Sequence, residues 1–311
     1  MPYHLRGILT LLVYICFTFV IFVFFVFITI FKLLVPHPTA KALAVRAMDV
    51  LSSRCWVFCA NLTHRIFGKF TWDIHWPGND AAFKTDRWSV ILLNHQSWVD
   101  ILVLIKVFYK KIPPYKFFIK KQLLWMPLMG PCFWALDYPI MKRYSREFLE
   151  KNPHLKGTDL EATRAACEKY KHLPVSVINF PEGTRFTPEK HQKKASRYRH
   201  LLNPKAGGTS LVLFAMGDVL ENIFDVTIVY PESIPGLWGF FCGRPRHIIV
   251  DIRQMKMDPS LSGNYATDAA YKAHFQKWLN RLWEEKDQVI DRRKTEYADG
   301  THRNTEGPGK Y

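Results

Sequence analysis

The chain has 311 residues, 48% of them apolar and 15% aromatic, enough to bury a large core and to exclude a disordered or collagen-like protein. Its 43 Lys and Arg stand against 27 acidic residues, a net charge of +16 that calls for an anionic partner: nucleic acid, an acidic membrane surface or a phosphorylated substrate. The six cysteines form no Cys-x-x-Cys pair and no Cys/His spacing of a zinc site, which argues against a disulfide scaffold or a bound metal and fits a reducing compartment.

Residues 7–31 contain no charged residue and no histidine. As a helix they would run roughly 37 Å, against a hydrocarbon core of about 30 Å. A signal peptide has a shorter apolar core, and no small-residue cleavage site follows, so a retained membrane anchor is expected. Pro36-His37-Pro38 should stop this helix. Over residues 40–67, Ala44, Met48, Leu51, Cys55, Phe58, Leu62 and Ile66 recur at three- and four-residue intervals, with Arg46, Asp49, Ser53, Asn61 and His64 grouped elsewhere. Such a helix packs on a globular domain or lies in the headgroup region of a membrane. Lys32, Lys41 and Arg46 follow the apolar run and only Arg6 precedes it, which places the bulk of the chain on the cytoplasmic side.

Further along, Phe70, Trp72, Ile74 and Trp76 alternate with polar residues as a half-buried strand. Apolar runs at 90–93, 115–119, 175–180 and 225–230, with an alternating stretch at 247–252, read as further strands. Helical patterns occupy residues 98–108, 158–171, 208–219 and 266–290. Strands alternating with helices predict an α/β fold, a central sheet flanked by helices. The expected organisation is an N-terminal membrane helix and amphipathic helix over 1–68, a globular domain over 69–290 and a disordered polar tail over 291–311.

Three segments fall at strand ends, where α/β domains present their sites. The first contains His95 and, five residues on, Asp100, a pairing suited to removing a proton from a hydroxyl near neutral pH. The same residues also fit a helix capping box, Ser97-x-x-Asp100. The second is Phe180-Pro181-Glu182-Gly183-Thr184-Arg185, with a glycine for close backbone approach and a guanidinium for a phosphate, or else an ordinary Pro/Gly turn. The third holds Lys120 and Lys121, followed by an apolar stretch to Gly130 that reads as an acyl-chain slot, a membrane contact or a buried helix. No helix-turn-helix, RNP or zinc-finger signature accompanies the positive charge, so nucleic acid is not the expected partner.

Asn-His-x-x-x-x-Asp, then a Lys block ending in Pro and Gly, then Phe-Pro-Glu-Gly-Thr-Arg resembles, in that order, the glycerolipid acyltransferase family, which includes the PlsC-type 1-acylglycerol-3-phosphate acyltransferases. Cys132-Phe133-Trp134-Ala135-Leu136-Asp137, residues 141–146, Asn203-Pro204-Lys205-Ala206-Gly207 and Asp225-Val226-Thr227-Ile228 look most like its bacterial YihG branch. The resemblance implies an inner-membrane enzyme acylating lysophosphatidic acid or another lysophospholipid from acyl-CoA or acyl-carrier protein, with no cofactor beyond that co-substrate. It implies His95 as general base, Asp100 as its orienting partner, and Glu182, Gly183, Thr184, Arg185 and Lys120 as the substrate-binding set. The segment 185–205, with seven Lys/Arg and one acid, is a candidate contact for an anionic donor or lipid, or a solvated loop.

Overall fold

The computed structural model describes residues 2–67, 70–78, 83–141, 146–152, 158–170, 174–217, 219–265 and 267–300. Among the described residues there are eight strands: β1 (Thr71–His75), β2 (Trp88–Leu93), β3 (Tyr115–Phe117), β4 (Ile119–Lys120), β5 (Ile140–Met141), β6 (Ser176–Asn179), β7 (Leu220–Val229) and β8 (His247–Lys256). The helices are α1 (Tyr3–Leu34), α2 (Pro38–Phe67), α3 (Val99–Val107), α4 (Met129–Ala135), α5 (Arg146–Lys151), α6 (Thr158–Tyr170), α7 (Pro188–Lys193), α8 (Ala206–Met216), α9 (Leu237–Phe241) and α10 (Ala269–Ala298).

Six strands form one sheet in the order β1-β8-β7-β2-β6-β3, and β4 pairs with β5 separately. All neighbours in the large sheet run parallel except β7 and β8. Strand periodicity sends alternate side chains to opposite faces. Val90 and Leu92 pack with Val212, Leu213, Phe275 and Trp283, under α8 and α10. Ile91 and Leu93 pack on the other face with Val99, Val103 and Leu104 of α3 and with Val57 of α2. With both faces covered, β2 is apolar throughout its second half, as parallel central strands are. Because β6, β2 and β7 are adjacent and parallel, their carboxyl ends lie along one edge, and that edge carries His95, Asp100 and the turn beginning at Phe180.

The strand expected at 115–119 divides: the chain leaves the large sheet after Phe117, and Lys120 belongs to the two-stranded sheet. The tail expected to be disordered from Asp291 is helical to Ala298. Arg293 there lies 2.6 Å from Asp251 of β8, and the Tyr297 hydroxyl donates to Glu232 at 3.1 Å. These partners fix the last two turns of α10, while residues 301–311 lie outside the described residues.

Among the described residues α1 is the helix long and apolar enough to cross a membrane. It touches the globular part at both ends. Near its start, His4 stacks on Trp238, and Gly7 faces Cys242 and Trp238 so closely that a Cβ would stand 2.5 Å from the cysteine sulfur. Near its end, Lys32 pairs with Asp137 at 2.7 Å, and Ile21 and Phe25 bury against Cys132 and Ala135 of α4. Its other face exposes Leu12, Phe19, Phe24, Phe27 and Phe31.

The apolar face of α2, expected either to pack on the globular domain or to lie in the headgroup region, is buried in part. Ala44 and Met48 are inside, but Phe58 and Ile66 are exposed. Asp49, expected on the polar side, is buried, its two oxygens 3.0 and 2.8 Å from Lys116 Nζ of β3. A buried carboxylate needs such a partner. The cost of removing it is testable: Asp49→Asn should lower the thermal unfolding midpoint in detergent, and the joint change with Lys116→Met should recover most of the loss.

Candidate active site

The polypeptide turns from β2 into α3 through Asn94, His95, Gln96, Ser97 and Trp98. Asn94 is fully buried, and its side-chain amide both accepts from Ile228 N and donates to Ile228 O, each at 2.9 Å, so the turn is pinned to β7. The Asp100 carboxylate sits in the first turn of α3 with no solvent exposure. Its Oδ2 accepts from Gln96 N at 2.7 Å and Ser97 N at 2.8 Å and lies 3.0 Å from His95 Nδ1. Its Oδ1 accepts from the Tyr230 hydroxyl at 2.7 Å. The capping geometry and the His–Asp pair are therefore one arrangement: the carboxylate that closes the helix start also faces the imidazole. A carboxylate opposite Nδ1 assigns the proton to that nitrogen and leaves the lone pair on Nε2. Burial, then the charge of Asp100, pushes the Tyr230 phenol well above its ordinary range, so it remains a donor.

The neighbouring strand supplies the second wall. After β6, Phe180 places its ring 4.2 Å from that of His95, and the chain turns through Gly183 at φ +67°. Only glycine adopts that conformation without strain. Phe186 N donates to His95 O at 2.7 Å, so the two strand-end turns are tied backbone to backbone. Arg185 stacks its guanidinium 4.7 Å above the Trp98 ring, on the same edge as His95.

Glu182, expected with the substrate-binding set, faces inward instead. It is fully buried, with Oε1 accepting from His95 N at 2.9 Å and Oε2 from Leu202 N at 3.0 Å. Burial pushes its carboxyl up to about 8, against the opposing pull of those two N–H groups and of Lys286. The Thr184 hydroxyl accepts from Lys190 Nζ at 3.0 Å, and the same ammonium donates to Arg185 O at 3.1 Å. Lys205 lies along Gly183, its Nζ 3.6 Å from where a Cβ would stand.

Residues 79–231 match the Acyltransferase family. Among the relatives, 1-acyl-sn-glycerol-3-phosphate acyltransferase delta of Homo sapiens is 25% identical over 232 residues, 68% of this chain and 57% of that protein. Lysocardiolipin acyltransferase 1 of Gallus gallus is 24% identical over 221 residues, covering 66% and 53%. 2-acyl-1-lysophosphatidylinositol acyltransferase of Saccharomyces cerevisiae is 24% identical over 246 residues, covering 66% and 61%. The chain spans little more than half the length of these relatives. A crystal structure of the 1-acyl-sn-glycerophosphate acyltransferase PlsC from Thermotoga maritima aligns at a TM-score of 0.49 and 17% identity, covering 92% of this chain and 98% of that one.

Within the matched segment, His95, Asp100, Gly183, Thr184 and Arg185 share one edge of the sheet, with Glu182 beneath them. Lys120 does not join them through any hydrogen bond or ion pair among the described residues; it is exposed in the small second sheet. Sequence reasoning missed Tyr230, Lys190 and Lys205. The first lies at the end of a strand that was expected, but nothing local to residue 230 shows that its hydroxyl reaches a carboxylate 130 positions away. Lys190 was visible only as part of a basic run, and Lys205 only there and within Asn203-Pro204-Lys205-Ala206-Gly207.

Proposed function

We propose that this protein is a membrane-bound O-acyltransferase that moves an acyl chain from acyl-CoA or acyl-carrier protein to the free hydroxyl of lysophosphatidic acid, giving phosphatidic acid. The observation that carries the reading is His95 Nδ1 held 3.0 Å from a buried Asp100, with Nε2 left to act. In the reaction, Nε2 takes the acceptor's hydroxyl proton as the oxygen attacks the thioester carbonyl. The C–O bond forms, the C–S bond breaks, and the imidazolium returns its proton to the departing thiolate. Asp100 stabilises the imidazolium in between. Arg185 supplies the cationic contact for the headgroup phosphate, and exposed Trp98 beneath it keeps the guanidinium extended.

The experiment is an acyl-transfer assay of the purified full chain in detergent micelles, with labelled lysophosphatidic acid and both donor types. Turnover by wild type is expected; its absence with either donor would overturn the reading. Relatives named for lysocardiolipin and lysophosphatidylinositol favour a second reading, acylation of a larger-headgroup lysophospholipid in membrane remodelling. Competing acceptors in one assay separate the two. Tyr230→Phe should lower kcat by about tenfold with little change in KM, because one hydrogen bond to the Asp100 charge is lost.

Within the family we place the chain nearest the YihG branch and at the cytoplasmic face of the inner membrane. The exposed phenylalanines of α1 and the exposed Phe58 and Ile66 of α2 give the bilayer contact. Since both ends of α1 touch the same globular part, the helix is read as lying within one leaflet. Cysteines introduced at Tyr3 and Leu34 should then react with a membrane-impermeant reagent from the same side of a sealed vesicle; labelling from opposite sides would show a spanning helix.

A further inference from the structure

The segment from Arg185 to Lys205 does more than add charge to the surface. Lys190 Nζ is fixed on Thr184 and on the Arg185 carbonyl, and Lys205 Nζ is laid against Gly183. Lysine ammonium groups thus flank two successive residues of the turn that is tied to His95. Lys194 stands one turn after Lys190 at the end of α7, its N–H donating to Lys190 O at 3.0 Å, and partial burial, then the charges of Lys205 and Lys190, holds its ammonium below the usual lysine range against the pull of Glu182. Among the described residues none of the three has a carboxylate at ion-pair distance. The one acid in the segment, Glu189, is engaged with Thr187 at the start of α7, and only its charge reaches Lys190. Thr184 N–H and Arg185 N–H donate to no protein acceptor among the described residues, and both belong to the turn that Gly183 opens with a positive φ. Such turns with free amides are anion cradles. Like charges gathered by a fold with no carboxylate at ion-pair distance raise the local potential and favour an anionic ligand.

From this we infer that Lys190, Lys194 and Lys205, with the Thr184 and Arg185 amides, form a phosphate subsite beside His95, separate from the Arg185 guanidinium on Trp98. The inference rests on the acyltransferase reading, which supplies two sources of the phosphate: the headgroup of the lysolipid acceptor or the phosphates of acyl-CoA. The two lysines on the turn bring the anion within reach of the reacting edge, and Lys194 contributes charge behind them.

The test uses the full chain in detergent micelles. The double variant Lys190→Gln with Lys205→Gln should raise KM for one phosphate-bearing substrate by about tenfold or more, with kcat within about twofold. Arginine at both positions should restore KM, and Lys193→Gln on the same helix should leave it unchanged. A rise for lysophosphatidic acid with the donor KM constant assigns the subsite to the lipid headgroup. A rise for acyl-CoA but not for acyl-pantetheine assigns it to the donor. If neither KM moves, or if arginine fails where glutamine fails, the subsite is wrong. Should the double variant not fold, the wild type decides: inorganic pyrophosphate must slow modification of Lys190, Lys194 and Lys205 by an amine-reactive reagent more than that of Lys193, and equal rates overturn the inference. This labelling is independent of turnover, so failure of the acyl-transfer assay and failure of the subsite are read separately.

Discussion

His95→Ala is expected to lower kcat by about 10²–10⁴-fold with KM for both substrates changed far less, the range for losing a general base. The side chain is only 15% exposed and its ring packs on Phe180, so truncation also leaves a small gap; a thermal unfolding midpoint near that of wild type separates lost chemistry from lost structure. Asp100→Asn is the sharper companion. The carboxylate takes bonds from Gln96 N, Ser97 N, the His95 ring and the Tyr230 hydroxyl. An amide cannot accept at its nitrogen, so one of those donors must face an N–H, and the imidazole loses the charge that stabilises its protonated form. Activity should fall by a similar factor while Asn94 and its bonds to Ile228 hold the turn in place. Equal turnover by wild type and His95→Ala would sink the assigned mechanism.

How much of this was legible in the sequence follows from the range of the interactions. The β2 and β6 strands are short apolar runs, and the residues that follow them on the sheet edge could be named because strand ends in an α/β fold collect the site. The five-residue offset from His95 to Asp100 is local, and the helix start that closes it is encoded within the same seven residues. What the sequence could not show depends on the strand order β7-β2-β6, which no local pattern encodes. Tyr230 reaches Asp100, and Asn94 binds Ile228, only because β7 lies beside β2. Asp49 looked solvated because the lysine that neutralises it sits 67 positions away on β3. Lys120 looked like a site lysine because residues 115–119 read as one strand, whereas the chain leaves the sheet after Phe117. For Glu182 the residue type pointed the wrong way: an acid beside Gly and Arg reads as ligand-facing, and its inward turn is set by two backbone N–H groups, one from β2's end and one from Leu202.

That inward carboxyl yields the second large effect. Glu182→Ala removes the acceptor of Leu202 N, which is buried, and of His95 N, which is partly buried, and an unsatisfied buried donor costs about 1–3 kcal/mol. The loss, about 1–3 kcal/mol at Leu202 N with a smaller amount at His95 N and before any cavity term, is a large share of a typical domain's stability. It should appear as a markedly lower unfolding midpoint and, because the His95 backbone is released, as reduced kcat even where the protein stays folded. The pH dependence carries a separate signature. The carboxyl is pushed up to about 8 by burial, above the 4.5 of a free glutamate, so the folded chain holds this proton more tightly than the unfolded one. Its contribution is full below about pH 4.5, declines as pH rises through the interval, and is gone above about pH 8. The unfolding midpoint of wild type should therefore fall between pH 6 and pH 9 by more than that of Glu182→Gln, which keeps one acceptor and cannot titrate. If the two proteins lose stability in parallel over that interval, the proton is not held at Glu182, and the carboxylate binds His95 N as an ion throughout.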